Sequence, residues 1–184
     1  MIDDAADRLR EKTVDSEQIY EGKVVSLKVD EVQLPDGARS RREIVVHRGA
    51  VAAVPLTEDG HVIMVRQWRH PAGEALLEIP AGTLEEGEKP EATLQRELAE
   101  EIGQTAGEIE HLSDIYTAPG YSTEVIGLYL ATDLEPTDGE ADEDENIEIV
   151  QMPLDEALRM CRAGELRDAK SVAALLLTAA RHAQ

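Results

Sequence analysis

Apolar and polar positions alternate through the first third of the chain. This pattern predicts strands near residues 18–34, 40–47, 49–56 and 61–68. The sequences "PDG" and "EDG" interrupt the alternation and are typical of turns between strands. A short strand is predicted in "ALLEIPAG", which ends in a Pro-Ala-Gly turn. The last strands are predicted near residues 108–117, 124–131 and 147–152.

Helical periodicity replaces this alternation from about Pro90 to Ile102. Proline suits the first turn of a helix, and Gly103 suits the position just after its end. Two further helices are predicted near residues 153–163 and 168–182. Strands with a helix between them and more helices at the end predict a layered α/β or α+β domain. At about 100° per residue, the first helix has one apolar stripe, formed by Leu94, Leu98 and Ile102.

Glutamates cluster beside that apolar stripe. Glu97 and Glu101 are four residues apart, and Glu100 lies one step further out. Like charges at helical spacing repel one another, and unpaired carboxylates at the rim of a core would have raised pKa values. A divalent cation removes the repulsion, because hard cations such as Mg²⁺ bind carboxylate oxygens. The alternative is a solvated helix in a glutamate-rich chain, and the spacing of a longer motif decides against it.

That longer motif is "GTLEEGEKPEATLQRELAEEIGQ", which resembles the Nudix box G-x5-E-x7-R-E-U-x-E-E-x-G-U, where U is a bulky apolar residue. The matching residues are Gly82, Glu88, Arg96, Glu97, Leu98, Glu100, Glu101 and Gly103. Gln104 departs from the pattern, at a position that serves packing after the helix. The resemblance implies a Nudix-type α/β/α sandwich with a mixed sheet over residues 48–184. It also implies a small N-terminal antiparallel sheet over residues 1–47, which would serve dimerisation.

The box further implies hydrolysis of a nucleoside diphosphate linked to another group. The expected metal ligands are the carbonyl of Ala81 and the carboxylates of Glu97 and Glu101, with Mg²⁺ as the metal and Mn²⁺ as the alternative. Glu100 is expected to assist catalysis. Gly82 is expected to let the backbone bend so that the Ala81 carbonyl faces the carboxylates. Arg96 is expected to hold neighbouring carboxylates in place.

Segments outside the box resemble the ADP-ribose pyrophosphatase branch of the family. In "SRREIVVHRG", Arg41 and Glu43 occupy positions where that branch contacts the nucleotide, often across a dimer interface. In "VRQWRHPAG", Arg69 matches an arginine that binds substrate phosphate. The sequence "YTAPGYSTE" contains the Pro119 and Gly120 pair that is typical of the branch, which implies a loop that contacts substrate.

An acidic loop follows, with nine acidic residues and no basic residue from Asp133 to Glu148. Most of these carboxylates are expected to be solvated. Glu143 and Glu145 align with loop glutamates of the branch, one acting as the general base and the other completing a metal site. The order of these two roles stays open, because a loop can bring either carboxylate to the attacking water.

Composition excludes several classes of function. A net charge of −21 argues against nucleic-acid binding, which depends on clustered Lys and Arg. No apolar run has the length of a signal peptide or a bilayer span, so we expect a cytoplasmic protein without a membrane partner. The single cysteine, Cys161, excludes an intrachain disulfide and agrees with a reducing compartment. The five histidines lack zinc-like spacing.

The resemblance therefore implies a homodimeric enzyme that uses Mg²⁺ to hydrolyse ADP-ribose to AMP and ribose 5-phosphate. Another nucleotide sugar such as GDP-mannose is the nearest alternative, because it would use a closely related pocket. An NADH pyrophosphatase is disfavoured, since the zinc-binding cysteines often seen there are missing. A non-catalytic ADP-ribose sensor is also disfavoured, because this chain keeps the box glutamates and has no length for an added effector domain.

Overall fold

A computed structural model describes residues 7–139 and 146–182. The strands are β1 (Lys12–Glu21), β2 (Ser26–Gln33), β3 (Arg39–Val46), β4 (Ala50–Pro55), β5 (His61–Arg69), β6 (Glu74–Glu78), β7 (Ala81–Thr83), β8 (Gln104–Tyr116), β9 (Val125–Pro136) and β10 (Ile147–Pro153). The helices are α1 (Pro90–Ile102), α2 (Leu154–Ala163) and α3 (Ala169–His182). Within residues 7–139 and 146–182, no helix has the length and apolar character needed to cross a membrane.

The described chain divides into two compact units. The first contains the residues up to Arg48 together with Ala118–Glu124. It contains an antiparallel sheet in the order β1-β2-β3. The second unit contains Gly49–Thr117 and the residues from Val125 onward. It has one antiparallel sheet, β10-β5-β6, and one mixed sheet, β7-β4-β9-β8, in which β4 and β9 run parallel.

Helices cover both faces of the sheets in the second unit. Successive strand side chains point to opposite faces, and β4 shows this clearly: Val51 and Ala53 pack with the apolar side of α1, whereas Ala52 and Val54 pack with α2 and α3. Strand β5 divides its side chains between the same two apolar clusters. The α/β/α sandwich with a mixed sheet, predicted from the sequence, is confirmed.

Helix α1 has the predicted bounds. Its apolar stripe is buried, and Leu94, Leu98 and Ile102 all belong to the cluster that α1 forms with the sheets. Gly103 ends the helix with φ 64°, and its N–H donates to the carbonyl oxygens of Ala99 and Leu98. The period of the apolar residues and the two end signals therefore located this helix correctly.

The single strand predicted near residues 18–34 is wrong. The structure has a turn there that separates β1 from β2, and the two strands pair with each other. At this turn the N–H of Gly22 donates to the carbonyl oxygen of Val25 at 3.0 Å. A β-carbon at position 22 would come within 2.9 Å of the same oxygen, so glycine permits a turn that lacks the usual turn dipeptides.

The lengths of β8 and β9 also exceed the predicted 108–117 and 124–131. The two strands pair from Gln104, opposite Pro136, to Tyr116, opposite Val125. Backbone hydrogen bonds continue along the pair into polar sequence, where the alternation of side chains no longer indicates a strand.

Substitutions of two adjacent leucines test the packing of α3 against the sheets. Leu175 is 0% exposed and Leu176 is 43% exposed. We expect Leu175→Ala to lower the free energy of unfolding by about 2–5 kcal/mol, and Leu176→Ala to change it by about 0.5 kcal/mol or less. Urea unfolding followed by circular dichroism measures both. Equal losses would contradict the assignment of Leu175 to the core.

Candidate active site

The glutamates of α1 converge on the backbone of β7. A β-carbon placed on Gly82 would lie 1.9 Å from Cδ and 1.9 Å from Oε1 of Glu97. Gly82 itself pairs with Val51 in the mixed sheet and does not have a positive φ. The expected bend at Gly82 is therefore wrong. Glycine permits the observed position of the Glu97 carboxylate, because a β-carbon at residue 82 would displace it.

Glu101 reaches the neighbouring residue on the same strand. It is only 7% exposed, and its Oε2 accepts a hydrogen bond from the Ala81 N–H at 3.1 Å. The recorded contact at Ala81 thus involves the N–H, whereas the sequence prediction concerned the carbonyl. Glu97 and Glu101 together place two carboxylates against two consecutive backbone positions.

Arg96 connects the remaining carboxylates of the box. Its Nη1 donates to Glu97 Oε1 at 2.7 Å and to Glu100 Oε2 at 2.9 Å, and its Nη2 donates to Glu88 Oε2 at 3.4 Å. Partial burial would lower the pKa of Arg96, but the hydrogen bond to Glu88, the charge of Glu97 and the hydrogen bonds to Glu100 and Glu97 raise it above its usual value. The expected role of Arg96 in holding these carboxylates agrees with the contacts.

The donor chemistry at β7 fits a hard divalent cation. Glu97 and Glu101 supply carboxylate oxygens beside the same short strand, and such oxygens are the preferred ligands of Mg²⁺. In the described part of the chain, no group of three or more His, Cys, Asp or Glu side chains is arranged to hold a metal ion. The predicted ligand set has two carboxylates and one carbonyl. The loop residues Glu143 and Glu145 lie outside the described residues.

Arg69 is held by a buried acid at the end of β6. Its Nε and Nη2 donate to the two carboxylate oxygens of Glu78 at 2.7 and 2.8 Å. Glu78 is 1% exposed and also accepts a hydrogen bond from Lys170 Nζ. Burial would raise the pKa of Glu78, but the hydrogen bonds from Arg69 and the charge of Lys170 keep it below its usual value.

The same contacts raise the pKa of Arg69. The hydrogen bond to Glu78 is the main cause, and the charge of Glu101 contributes as well. Arg69 therefore lies within electrostatic range of the box. Its side chain is 39% exposed, and the pair with Glu78 uses its Nε and Nη2.

Sequence reasoning missed Glu78 and Lys170. The available signal was the charged Glu78 in the otherwise apolar run "ALLEIP". A carboxylate at such a position is buried only with a partner. The partner Lys170 is 92 residues away along the chain, so its identity could not be read from local sequence.

Arg41 and Glu43 lie on one face of β3 in the first unit, and both are exposed. In the antiparallel pairing they stand opposite Glu31 and Val29 of β2. Arg41 lines a cleft of about 340 Å³ on this unit, together with Arg39. A nucleotide contact by this pair stays a prediction.

Pro119 and Gly120 belong to the same unit. The N–H groups of Tyr121 and Ser122 both donate to the Ala118 carbonyl, at 3.1 and 2.9 Å, so the pair lies in a tight turn. The segment is joined to the end of β3, because the Val45 N–H donates to the Tyr121 carbonyl at 2.7 Å. The structure therefore groups this turn with the strand of Arg41 and Glu43.

Comparison with protein families gives two adjoining matches. The family model described as NUDIX domain matches residues 46–175. The model described as nucleoside diphosphate sugar hydrolase N-terminal domain matches residues 11–45. The two matches together extend over most of the described chain.

Individual relatives match at high coverage. An ADP-ribose pyrophosphatase of Bacillus subtilis (strain 168) is 45% identical, over 91% of this chain and 91% of the relative. A protein named methanol dehydrogenase activator, from Bacillus methanolicus, is 44% identical over 90% of each chain. A GDP-mannose pyrophosphatase of Citrobacter koseri is 38% identical over 74% of this chain and 76% of the relative. A crystal structure of an ADP compounds hydrolase superposes with a TM-score of 0.81, at 25% identity and 92% coverage of both chains.

The contact between Glu97 and Gly82 can be tested by adding one methyl group. We expect Gly82→Ala to weaken Mn²⁺ binding at least about tenfold, because the β-carbon displaces a carboxylate that would bind the metal. Isothermal titration calorimetry measures this affinity. Gly120→Ala is the matched control, since a β-carbon there has nothing within 4 Å. Unchanged Mn²⁺ affinity in Gly82→Ala would rule out Glu97 as a ligand in the observed position.

Proposed function

The chain belongs to the Nudix family, whose members are hydrolases, and on this premise we propose that it hydrolyses ADP-ribose to AMP and ribose 5-phosphate. The observation that carries the proposal is the convergence of Glu97 and Glu101 on Ala81 and Gly82, because two carboxylates at one short strand suit a metal-assisted attack on a diphosphate. ADP-ribose is the favoured substrate, because the ADP-ribose pyrophosphatase of Bacillus subtilis matches 91% of this chain.

The cofactor in this proposal is Mg²⁺, with Mn²⁺ as the alternative, bound by Glu97, Glu101 and the Ala81 carbonyl. When bound, such a cation neutralises phosphate charge and lowers the pKa of a coordinated water. Arg96 keeps Glu97 and Glu100 in place through its hydrogen bonds. Glu100 assists by fixing the orientation of Arg96.

The chemical step is the addition of water to one phosphorus of the diphosphate. The water oxygen forms a bond to phosphorus, its proton passes to Glu145 or Glu143, and the bond from that phosphorus to the bridging oxygen breaks. The bridging oxygen leaves with the other phosphate, so AMP and ribose 5-phosphate are the products. Arg69, whose side chain is partly exposed, binds a phosphate through its guanidinium.

The first unit is proposed to bind the nucleotide and to form a homodimer. Arg41, Glu43, Pro119 and Gly120 would contact the substrate. Residues 1–47 would form the dimerisation sheet and residues 48–184 the hydrolase domain. Every residue of β1 is exposed, including Ile19 and Tyr20, and exposed apolar strand residues suit an interface with a second copy. A cytoplasmic location belongs to the same proposal and agrees with the single cysteine.

GDP-mannose is the second candidate substrate, because relatives named for that activity match about three quarters of the chain. Both substrates contain the same diphosphate and therefore use the same box. They differ in the base and the sugar, which the box does not contact in this proposal.

Product analysis distinguishes the candidates. The purified protein is incubated with Mg²⁺ and, separately, with ADP-ribose, GDP-mannose, NADH and a nucleoside triphosphate, and the products are separated by chromatography. We expect AMP to form fastest from ADP-ribose and its formation to stop when the metal is chelated. Faster release of GMP from GDP-mannose would show that GDP-mannose is the preferred substrate. Binding of ADP-ribose without any turnover would contradict the proposed hydrolysis.

Replacement of one box carboxylate tests the metal assignment. We expect Glu101→Gln to lower kcat by at least about a hundredfold while circular dichroism shows an unchanged fold, because an amide is a poor substitute for a carboxylate ligand. Glu91→Gln is the matched control, since Glu91 is exposed in the first turn of the same helix. Full activity in Glu101→Gln would exclude Glu101 from the proposed site.

A further inference from the structure

One buried carboxylate, Glu78, holds two cations at the edge of the proposed site. Arg69 donates two hydrogen bonds to it, one to each carboxylate oxygen, at 2.7 and 2.8 Å. Lys170 donates to the same carboxylate and also lies 3.1 Å from Asp168 Oδ2. Glu78 and Lys170 are both buried, whereas Arg69 is partly exposed. The arrangement thus connects two buried charged groups with a partly exposed arginine side chain.

The start of α3 anchors this group to the strand that leads into the box. Asp168 Oδ2 accepts hydrogen bonds from the N–H of Ser171 at 3.0 Å and from its hydroxyl at 2.5 Å, which caps the helix. The Ser171 hydroxyl oxygen accepts a hydrogen bond from the Ile79 N–H at 2.8 Å. The start of α3 therefore contacts the side chain of Glu78 and the backbone of the next residue. Ile79 is two residues before Ala81.

Stability alone does not account for the charges of Arg69, Glu78 and Lys170. A buried ion pair contributes little net stability, because the loss of hydration offsets much of the attraction between the charges, and apolar side chains of similar volume often serve as well. A bidentate pair does fix the plane of a guanidinium. It also restricts the long side chain before any ligand binds, so less conformational entropy is lost on binding.

We propose that Glu78, anchored by Lys170, is a positioning residue that orients the Arg69 guanidinium toward the substrate diphosphate. This inference rests on the proposed function, in which Arg69 binds a substrate phosphate. Glu78 takes no part in bond making. It acts by holding Arg69 in one orientation, and Lys170 keeps Glu78 in place from the interior.

Geometry and charge predict opposite effects of Glu78→Gln on KM. Loss of the bidentate anchor raises the KM for ADP-ribose about tenfold and leaves kcat within about twofold, because the interaction binds substrate and transition state alike. A purely electrostatic role would lower KM, since removing a negative charge strengthens the attraction of Arg69 for phosphate. Glu165→Gln is the matched control, because Glu165 also accepts two hydrogen bonds from one arginine, Arg159, but at the exposed surface. We expect wild-type kinetics from it.

A double-mutant cycle separates positioning from a general structural role. In an Arg69→Ala background, Glu78→Gln is expected to change kcat/KM by less than about twofold, because the residue it acts through is gone. An equal loss in both backgrounds would overturn the inference. Because removing one partner can leave a buried charge without compensation, the cycle is repeated with Glu78→Gln/Lys170→Met, which removes both charges. Thermal unfolding of each variant shows that it is folded at the assay temperature.

The same assay distinguishes this inference from the proposed function. Wild-type protein that forms no AMP from ADP-ribose would overturn the proposed function and with it this use of Arg69. Active wild-type protein with an unchanged or lowered KM in the folded variants Glu78→Gln and Glu78→Gln/Lys170→Met would overturn the positioning role alone. A raised KM that vanishes in the Arg69→Ala background is the expected result.

Discussion

The contact between the Glu97 carboxylate and the backbone of Gly82 is the constraint on which the site depends. For this contact α1 must lie close enough to β7 for the Glu97 side chain to reach the strand, and position 82 must carry no side chain. That distance is set by the burial of Leu94, Leu98 and Ile102 against the sheets. Hydrophobic packing of one helix face therefore holds the carboxylates of the adjacent face together, although like charges on that helix repel one another.

Two groups of charged side chains carry the proposed site. Arg96 contacts three carboxylates at the box, so it compensates only part of their charge. In the second group, Glu78 contacts both Arg69 and Lys170. Carboxylates that suit a divalent cation and an arginine that suits phosphate are the groups that the proposed reaction on a diphosphate requires. The family of the chain and the charges of its site thus agree.

Long-range contacts supply the parts of the site that local sequence does not contain. Glu78 meets Lys170, and Ile79 meets Ser171, each across 92 residues of sequence. Only the packing of α3 against the sheets brings these groups together. Within the first unit, which lies outside this group of contacts, backbone hydrogen bonds to Val45 join the turn at Pro119 and Gly120 to β3. A motif search can find each segment, but it cannot find such pairs.

The sequence by itself determined α1, its capping residue Gly103 and the spacing of the box, because helical period and end signals are local properties of the chain. It also indicated a layered α/β or α+β domain, since the order of strands and helices restricts the possible layers, and the resemblance of the box implied the α/β/α sandwich. Tertiary structure decided the hairpin between β1 and β2, the lengths of β8 and β9, the steric reason for Gly82 and the partners of Glu78. Each of these depends on what the backbone or side chain meets in space, and the residues that it meets lie outside the local pattern or far along the chain.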